Sequence, residues 1–322
     1  MIKIGIIGLG NVAWNVHLPI LLSRDDIKIS WICDQEIKKK KIFDKKKIPF
    51  FENINKAIQF EECDIALITV PYHQRKTVFD NIKKFTKGIY YEKPFALTID
   101  EHKYFSEKFK NYEVTVGFQR RRMGVVKTIK SIIESNIFGS LLEINIDFGD
   151  IHYKFDSFRS DNKKSGGGIF FETGSHWIDT ALYTSNAKEV YDFNCVKKIE
   201  DNLDIESEGK FKIFNEKNIE IKCNFFITTL KNTNNKITYL FENCSIDLFL
   251  FDNESNLVLN NSDSDKFIIQ KDEYLNLPNL SLGVGASYWN DYLKCFINKK
   301  DSDLSVNNYI LTTKIIELFY EK

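Results

Sequence analysis

The sequence predicts an α/β protein: an N-terminal doubly wound parallel sheet, then an α+β domain with a large open, mostly antiparallel sheet. Apolar runs alternate with helical spacings as far as Phe118, which is typical of a doubly wound sheet. Beyond Phe118, strand-like segments separated by Asn, Asp, Ser and Gly dominate, as in an antiparallel sheet with short turns. These two patterns place a domain boundary at residue 118, between domains at 1–118 and 119–322.

The first strand runs straight into a glycine-rich turn. Ile2 to Ile7 read as a buried strand, and Gly8, Gly10 and Ala13 follow with the G-x-G-x-x-A spacing before a helical stretch. Gly8 permits the tight turn, Gly10 lets a pyrophosphate approach the backbone, and Ala13 permits close helix–strand packing. The sequence therefore predicts that residues 1–118 form a dinucleotide-binding Rossmann domain.

The second strand, Ile27 to Cys33, ends at Asp34, close to the spacing expected for a ribose-binding acid. A carboxylate there accepts hydrogen bonds from both ribose hydroxyls and repels a 2′-phosphate, which favours NAD over NADP. The lysine-rich stretch from Lys38 to Lys47 is interpreted as a solvated helix face, with a 2′-phosphate-binding patch as the alternative.

A short strand, Ile89 to Tyr91, delivers Glu92 and Lys93 to a turn that Pro94 fixes. Strand ends of this kind face the ligand crevice of an open parallel sheet. A lysine there can hold a substrate oxygen by a charge-assisted hydrogen bond or give it a proton. A surface Glu–Lys pair at a turn is the alternative.

Three consecutive glycines, 166–168, open a second stretch of interest. If a helix begins near them, Glu172, His176 and Asp179 lie at i, i+4 and i+7 on one face. An imidazole between two carboxylates is held in one tautomer and is more basic, as an acceptor of an alcohol proton requires. A buried histidine flanked by acids for structural reasons alone is the equal alternative.

Composition limits the partners. The 322 residues include 45 Lys+Arg and 45 Asp+Glu, so the formal net charge of +0 gives no global reason to bind nucleic acid or a membrane surface. No apolar run is long enough to span a bilayer. The six cysteines are scattered, and no Cys, His and acid cluster has metal-ligand spacing. We therefore expect a cytoplasmic protein without a metal site.

With these stretches identified, the chain resembles the glucose-fructose oxidoreductase / inositol dehydrogenase (Gfo/Idh/MocA) family of NAD(P)-dependent oxidoreductases. Six motifs stand in family order: Gly8–Ala13, Asp34, Thr69–Pro71, Glu92–Pro94, Val116–Arg121 and the Gly166–Asp179 segment. The resemblance implies a Rossmann domain followed by an open-sheet domain, and a homodimer or homotetramer formed through that sheet.

The resemblance also implies roles for individual residues. Lys93 would contact the reacting hydroxyl and the nicotinamide ribose, and His176 would be the general acid/base, with Glu172 and Asp179 completing the catalytic group. Glu172 stands where the family most often has Asp, and Arg75 where many members have His. The predicted cofactor-binding residues are Gly8, Gly10, Asn11, Val12, Asp34, Thr69, Pro71, His73, Glu92 and Gln119. The predicted substrate-binding residues are Lys93, Arg121, Arg122, Tyr153, Thr173 and His176.

We therefore expect reversible hydride transfer between NAD and a carbinol carbon of a sugar, nucleotide sugar or cyclitol. For the paired arginines, Arg121 and Arg122, a solvated helix start is the alternative to substrate binding. A non-catalytic NAD-binding sensor of the same fold is the main alternative function. A methyltransferase also uses a glycine-rich loop and an acid after strand two, but it would leave Lys93, His176 and the three glycines unexplained.

Overall fold

The structure, a computed structural model, describes residues 1–82, 86–250, 254–260, 266–273, 280–298 and 304–321. The chain divides into two units. The first comprises Met1–Phe95, Asp100–Gly117 and Gly285–Asn308, and the second comprises Ala96–Ile99, Phe118–Val284 and Tyr309–Lys322. One division lies between Gly117 and Phe118, one residue before the predicted break between residues 118 and 119. Gly285–Asn308 lies with the first unit, whereas the sequence analysis placed it in the second domain.

A parallel sheet forms the centre of the first unit. Its strands are β1 (Ile2–Ile7), β2 (Ile27–Cys33), β3 (Phe50–Phe51), β4 (Ile65–Ile68), β5 (Gly88–Tyr91) and β6 (Glu113–Val116). They pair in the order β3-β2-β1-β4-β5-β6, and every pairing is parallel. β1 lies between β2 and β4, so the strand order reverses there. In such sheets the crevice at that reversal, beyond the carboxyl ends of the strands, binds ligands.

Helices connect these strands and flank the second sheet. Their bounds are α1 (Leu18–Leu22), α2 (Lys40–Asp44), α3 (Ile54–Phe60), α4 (Arg75–Ile82), α5 (Ile99–Lys108), α6 (Gly124–Ser135), α7 (Asn162–Ser165), α8 (Ser175–Thr184), α9 (Leu280–Asn298) and α10 (Ile310–Glu321). Helical structure begins at Asn11, before α1, and includes a π-helix at Ala13–His17. The spacing of apolar residues from Thr77 to Phe85 predicts an amphipathic helix, and residues 83–85 of that range lie outside the described part of the chain.

Aromatic side chains hold the C-terminal part of α9 within the first unit. The ring of Trp289 stacks on that of Tyr90, with centroids 4.5 Å apart. The Tyr288 hydroxyl lies 2.7 Å from Thr115 Oγ1, and Tyr292 donates a hydrogen bond to the Glu113 carbonyl oxygen. Large buried rings contribute much of the stability of such a contact. The spacing of apolar residues from Tyr288 to Phe319 predicts helical structure, but it does not show which sheet a helix packs against.

The second unit contains a mixed, mostly antiparallel sheet. Its strands are β7 (Leu141–Gly149), β8 (Ala187–Glu200), β9 (Leu203–Asn215), β10 (Glu220–Thr228), β11 (Lys236–Phe241), β12 (Ser245–Leu250), β13 (Glu254–Asn260) and β14 (Lys266–Glu273). The order is β14-β13-β12-β11-β7-β10-β9-β8, and only the β7–β10 pairing among these described strands is parallel. The predicted fold class is confirmed, although the sequence analysis did not identify β13 and β14.

One face of this sheet is covered by helices and the other carries polar side chains. α8 contacts β7 and β8, α10 contacts β8, and α6 contacts the β12–β14 end. Along β10, Ile221, Cys223, Phe225 and Ile227 are buried in alternation, as the two-residue period of a strand requires. No helix among the described residues is long and apolar enough to cross a membrane.

Candidate functional site

The glycine-rich turn after β1 is shaped to admit a ligand beside its backbone. Gly8 has φ +87°, and a Cβ there would lie 3.0 Å from Val70 Cγ1. Gly10 has open space instead: no heavy atom lies within 4 Å of where its Cβ would stand. Asn11 and Val12 begin the helix, so its unpaired N–H groups and the positive end of its dipole lie next to this space. The turn therefore fits a pyrophosphate.

Asp34 directs its carboxylate at this turn from the end of β2. Its Oδ2 accepts a hydrogen bond from the Leu9 N–H at 2.6 Å, and its Oδ1 accepts one from the Glu36 N–H at 2.8 Å. Each carboxylate oxygen has a second lone pair, so Asp34 retains acceptor capacity for ribose hydroxyls. The arrangement fits the adenosine end of a dinucleotide.

The loop after β4 completes this edge of the sheet. Thr69 Oγ1 donates to the Gly8 carbonyl oxygen at 2.6 Å, so Thr69 holds the glycine turn in place. Pro71 precedes the short helix Tyr72–Gln74, in which His73 is exposed. Of these predicted cofactor-binding residues, Thr69 contacts the turn itself, and His73 presents its ring to solvent.

A buried arginine holds the turn that carries Lys93 in place. Arg75 is only 5% exposed, and its guanidinium donates to the carbonyl oxygens of Lys93 and Pro94. The same guanidinium lies over the Tyr91 ring, 4.7 Å from its centroid. The Lys93–Pro94 peptide bond is cis. Arg75 thus sets the backbone from which the half-buried Lys93 side chain projects, a role that the sequence analysis did not assign to it.

Glu92 points into the first unit. Its Oε1 lies 2.8 Å from His17 Nε2, and Trp289 Nε1 lies 3.0 Å from His17 Nδ1. Because an indole N–H can only donate, His17 Nδ1 is the acceptor, and the ring proton on Nε2 is donated to Glu92. A Cβ on Gly117 would stand 2.8 Å from Glu92 Oε1, so that glycine provides room for the carboxylate. Glu92, predicted to bind cofactor, is therefore held by protein groups that anchor the neighbouring Lys93.

The three glycines in the second unit form a turn that packs tightly against other backbone. Gly166 has φ +91°. A Cβ on Gly168 would be 2.2 Å from the Asp204 carbonyl oxygen, and the Asp204 carboxylate accepts the N–H groups of Gly168 and Phe170 at 2.8 and 2.7 Å. Burial raises the pKa of Asp204, although these hydrogen bonds act in the opposite direction. The turn fixes where the following helix begins.

That helix differs from the one assumed in the sequence analysis. Phe170–Gly174 form a π-helix that leads into α8, and a π-helix has a wider turn than an α-helix. The ideal α-helix on which the i, i+4, i+7 spacing of Glu172, His176 and Asp179 rested therefore does not describe this stretch. His176 is half-buried, and its ring meets that of Phe118 edge to face, with centroids 5.7 Å apart.

The prediction that Asp179 flanks His176 is corrected. Asp179 accepts from Arg121 Nε at 2.9 Å and from the same guanidinium at 2.6 Å, and Thr312 Oγ1 donates to it at 2.9 Å. Arg121, predicted to bind substrate, is 3% exposed, and its guanidinium lies 4.0 Å from the Tyr309 ring centroid. The two charges satisfy each other inside the second unit, because a buried guanidinium requires an anionic partner.

Glu172 also has a partner that the sequence did not indicate. Arg159 Nε lies 3.5 Å from Glu172 Oε2, and Arg159 lies in the short helix Ser157–Ser160 after β7. Burial, together with the charge of Glu172, raises the pKa of Tyr153. Thr173, the next residue along the π-helix, is half-buried. This group joins a cation, a carboxylate and hydroxyls close in sequence to His176, so it can bind a polar substrate.

The remaining predicted residues lie on one short helix, Gln119–Arg122. Gln119 and Arg122 are half-buried. The guanidinium of Arg120 lies over the Trp177 ring, 4.5 Å from its centroid, as in a cation–π contact. Among the described residues, no group of three His, Cys, Asp or Glu side chains could hold a metal ion.

The class of protein follows from the first unit: a reversal in strand order beside a glycine turn, with an acid after β2, defines a dinucleotide-binding Rossmann domain. Comparison with known proteins agrees with this. Residues 2–119 match the family described as "Oxidoreductase family, NAD-binding Rossmann fold", and residues 126–197 match the "GFO/IDH/MocA C-terminal domain". The chain belongs to the Gfo/Idh/MocA family of oxidoreductases.

Individual relatives are distant. Glucose-6-phosphate 3-dehydrogenase of Bacillus subtilis is 26% identical over 193 residues, which cover 57% of this chain and 53% of that protein. The chain spans about half the length of the curated relatives it matches. Two solved structures have the same fold over 99% of this chain. Aldose-aldose oxidoreductase of Caulobacter crescentus has 13% identity, a TM-score of 0.82 and 96% of its own chain covered. The transcriptional regulator Gal80p of Kluyveromyces lactis has 14% identity, a TM-score of 0.79 and 91% covered.

Proposed function

We propose that the chain is an NAD(P)-dependent oxidoreductase that transfers a hydride to or from a carbinol carbon of a sugar, a nucleotide sugar or a cyclitol. One observation carries the proposal: the adjacent strands β1, β4 and β5 end in the glycine turn, in Thr69 and in the anchored Lys93. A dinucleotide cradle and an ammonium group thus lie at the same edge of one sheet. Membership of an oxidoreductase family supports it.

The proposed reaction requires particular roles of residues in this chain. Oxidation of a carbinol removes a hydride from carbon and a proton from oxygen, and leaves a carbonyl; a bound nicotinamide dinucleotide supplies the hydride acceptor. Lys93 would hold the reacting oxygen by a charge-assisted hydrogen bond that strengthens as negative charge develops. His176 would take the hydroxyl proton, and would return it in the reverse direction.

The proposed substrate-binding residues are those that lie around Glu172. Arg159, Tyr153 and Thr173 provide a cation and two hydroxyls for a polar ligand, and Arg122 remains a candidate on its own short helix. Arg121 is not included, because its side chain is only 3% exposed and pairs with Asp179, whereas the Arg159 side chain is 28% exposed. A guanidinium suits phosphate. The relative from Bacillus subtilis, named for glucose 6-phosphate, supports a phosphorylated sugar as the first substrate to test.

The test replaces Lys93 by methionine, which keeps the length of the side chain and removes the charge. Turnover is followed by the absorbance of reduced nicotinamide, with a panel of hexoses, hexose phosphates, nucleotide sugars and inositols. Loss of an oxyanion-type donor should lower kcat by about 10²–10³-fold. Lys87, exposed just before the other end of β5, gives a matched control in Lys87→Met. Full activity of Lys93→Met would refute the assignment.

A non-catalytic sensor is the second candidate, and the structural likeness to Gal80p favours it. Both candidates predict binding of a dinucleotide, so binding alone does not separate them. The sensor predicts silence over the whole substrate panel, together with a change in sugar or partner binding when NAD or NADP is added. Turnover of any member of the panel that depends on Lys93 supports the enzyme and excludes the sensor.

We also propose a homodimer or homotetramer formed through the polar face of the second sheet. Val196, 69% exposed, lies in register with Glu208, and Glu208 lies in register with Phe226, which is half-buried. Two apolar side chains and a charge therefore share one row of that face. Light scattering during size-exclusion chromatography measures the mass. Val196→Asp should lower the mass to that of a single chain. A single-chain mass for the wild-type protein would contradict this proposal.

A further inference from the structure

The π-helix at Phe170–Gly174 begins at a turn that a residue distant in the chain holds in place. Phe170 donates its N–H to Asp204 Oδ2 at 2.7 Å, and Gly168 donates to Asp204 Oδ1 at 2.8 Å. Ile169, at the N-cap position, has an apolar side chain that cannot cap the helix. The first N–H groups of a helix have no partner within it. The Asp204 carboxylate therefore caps this one, from 34 residues away in the chain.

The Asp204 carboxylate is itself held by a tyrosine from the last turn of α10. The Tyr320 hydroxyl donates to Asp204 Oδ1 at 2.7 Å, and Asp204 is only 4% exposed. Burial raises the pKa of Tyr320, so its hydroxyl stays protonated and can donate. α10 also stacks the Phe319 ring on that of Phe170, with centroids 3.8 Å apart. Hydrogen bonds and ring packing thus fix the N-terminal end of the π-helix.

The sheet of the second unit fixes the C-terminal end of the π-helix separately. A Cβ on Gly174 would lie 2.9 Å from Ile227 Cδ1 on β10, so the helix passes close to the sheet there. The Trp177 and Ile178 side chains that follow are buried. Between two fixed ends, a π-helix accommodates one residue more than an α-helix does. If the stretch relaxed to an α-helix, the residues on its two sides would turn by about 100° and shift by about 1.5 Å relative to each other.

We propose that Asp204 and Tyr320 are positioning residues that hold the π-helix in register. Through that register they orient Glu172 and Thr173 relative to His176. The inference rests on the proposed function, in which Thr173 and the residues around Glu172 bind the substrate and His176 moves the proton. Glu172 and Thr173 lie within the π-helix and His176 lies beyond it, so a change of register alters their relative direction. A displacement of about 1 Å can lower a rate by about 100-fold when it misaligns reacting groups.

A purely structural role for this pair makes a different prediction. Loss of the Tyr320 hydroxyl would then lower the melting temperature, and kcat of the folded protein would not change. Tyr239 gives a matched control, because its buried hydroxyl also makes one hydrogen bond, to Thr184 Oγ1 at 2.9 Å. Thr184 lies at the end of α8 that is farther from the π-helix. Tyr239→Phe therefore removes a buried hydrogen bond of the same unit without removing a group that caps the π-helix.

The experiment compares Tyr320→Phe, Asp204→Asn and Tyr239→Phe with the wild-type protein. NMR of protein with isotopically labelled threonine methyl groups follows the Thr173 signal, which is assigned by its loss in Thr173→Ser. Turnover is measured with each panel substrate that the wild-type protein accepts, and calorimetry measures the dissociation constants of NAD and NADP. Tyr320→Phe and Asp204→Asn should shift the Thr173 signal and lower kcat by about 10–100-fold. The dissociation constants should stay within about twofold, because the glycine turn belongs to the first unit.

The control variant separates the outcomes. A Thr173 signal that moves in Tyr320→Phe but not in Tyr239→Phe, together with the loss of kcat, supports the proposal. An unmoved signal or an unchanged kcat in Tyr320→Phe overturns it, even if the melting temperature falls as far as in Tyr239→Phe. If Asp204→Asn does not fold, Tyr320→Phe decides alone. If the signal moves as stated but the wild-type protein turns over no substrate, the oxidoreductase proposal fails, while the assignment of Asp204 and Tyr320 to the helix register stands.

Discussion

Replacing Asp179 by asparagine tests whether this residue serves structure or catalysis. Asparagine has nearly the same shape but no charge, so the Arg121 guanidinium would remain buried without its anionic partner. The two side chains are 3% and 1% exposed, and they are joined by two hydrogen bonds of 2.9 and 2.6 Å. Removing one partner of a buried ion pair typically destabilises a protein by about 3–5 kcal/mol.

Thermal unfolding monitored by circular dichroism measures the effect. For a unit of this size, about 1 kcal/mol lowers the midpoint by about 2–4 °C, so Asp179→Asn should lower it by roughly 10 °C. Glu134→Gln is the matched control, because Glu134 pairs with Lys130 at 3.1 Å while its own side chain is 49% exposed. An exposed pair one helical turn apart contributes about 0.3–0.5 kcal/mol, so this control should hardly move the midpoint.

A double substitution separates the buried charge from the loss of hydrogen bonds. Arg121→Met combined with Asp179→Leu removes both charges and fills the space with apolar groups. Because buried pairs replaced by apolar residues are often neutral or stabilising, the double variant should be more stable than Asp179→Asn alone. The reasoning is refuted if Asp179→Asn melts with the wild type but loses turnover, since Asp179 would then act in catalysis, as the sequence suggested.

Two further predictions concern stability. Burial lowers the pKa of His102 to about 4, whereas the unfolded chain takes up that proton near pH 6.5. The unfolded state thus binds more protons between these values, so stability should fall by about 3 kcal/mol as the pH drops from about 6.5 to 4, with no such loss above 6.5. His102 Nε2 donates to the Val306 carbonyl oxygen at 3.2 Å, and a glutamine amide can donate to the same oxygen without titrating. The stability of His102→Gln should therefore fall less over that pH range; equal losses would contradict the assignment. Gly168→Ala puts a Cβ 2.2 Å from the Asp204 backbone and should destabilise the protein by about 1–3 kcal/mol, whereas Gly10→Ala, in open space, should melt with the wild type.

The parts of the site that sequence reasoning identified are local ones. A strand followed at once by Gly8, a strand ending at Asp34, and a strand ending at Lys93 before a proline each depend on a few adjacent residues. Backbone sterics and the strand period act over such distances, and parallel pairing then brings the strand ends to one edge of the sheet. The two sheets and their order along the chain were predictable for the same reason.

The helix geometry in the second unit could not be predicted from such local patterns. The π-helix at Phe170–Gly174 lies where Gly168 packs on the backbone of Asp204, 36 residues later in the chain. Counting residues on an ideal α-helix therefore did not reveal that Asp179 pairs with Arg121. A turn whose position depends on a distant strand cannot be predicted from the spacing of apolar residues along the chain.

The sequence by itself determined the fold class and placed the glycine turn, Asp34 and Lys93 at strand ends. Only the tertiary structure decided which charges meet. Arg121 pairs with Asp179, which lies 58 residues later in the chain. The Lys39 ammonium donates to the carbonyl oxygen of Leu9 in the glycine turn, 30 residues earlier in the chain. The chain has 45 positively and 45 negatively charged residues, so charge alone does not determine which residues pair. The packing of the folded chain determines it, because charges that the packing buries require partners.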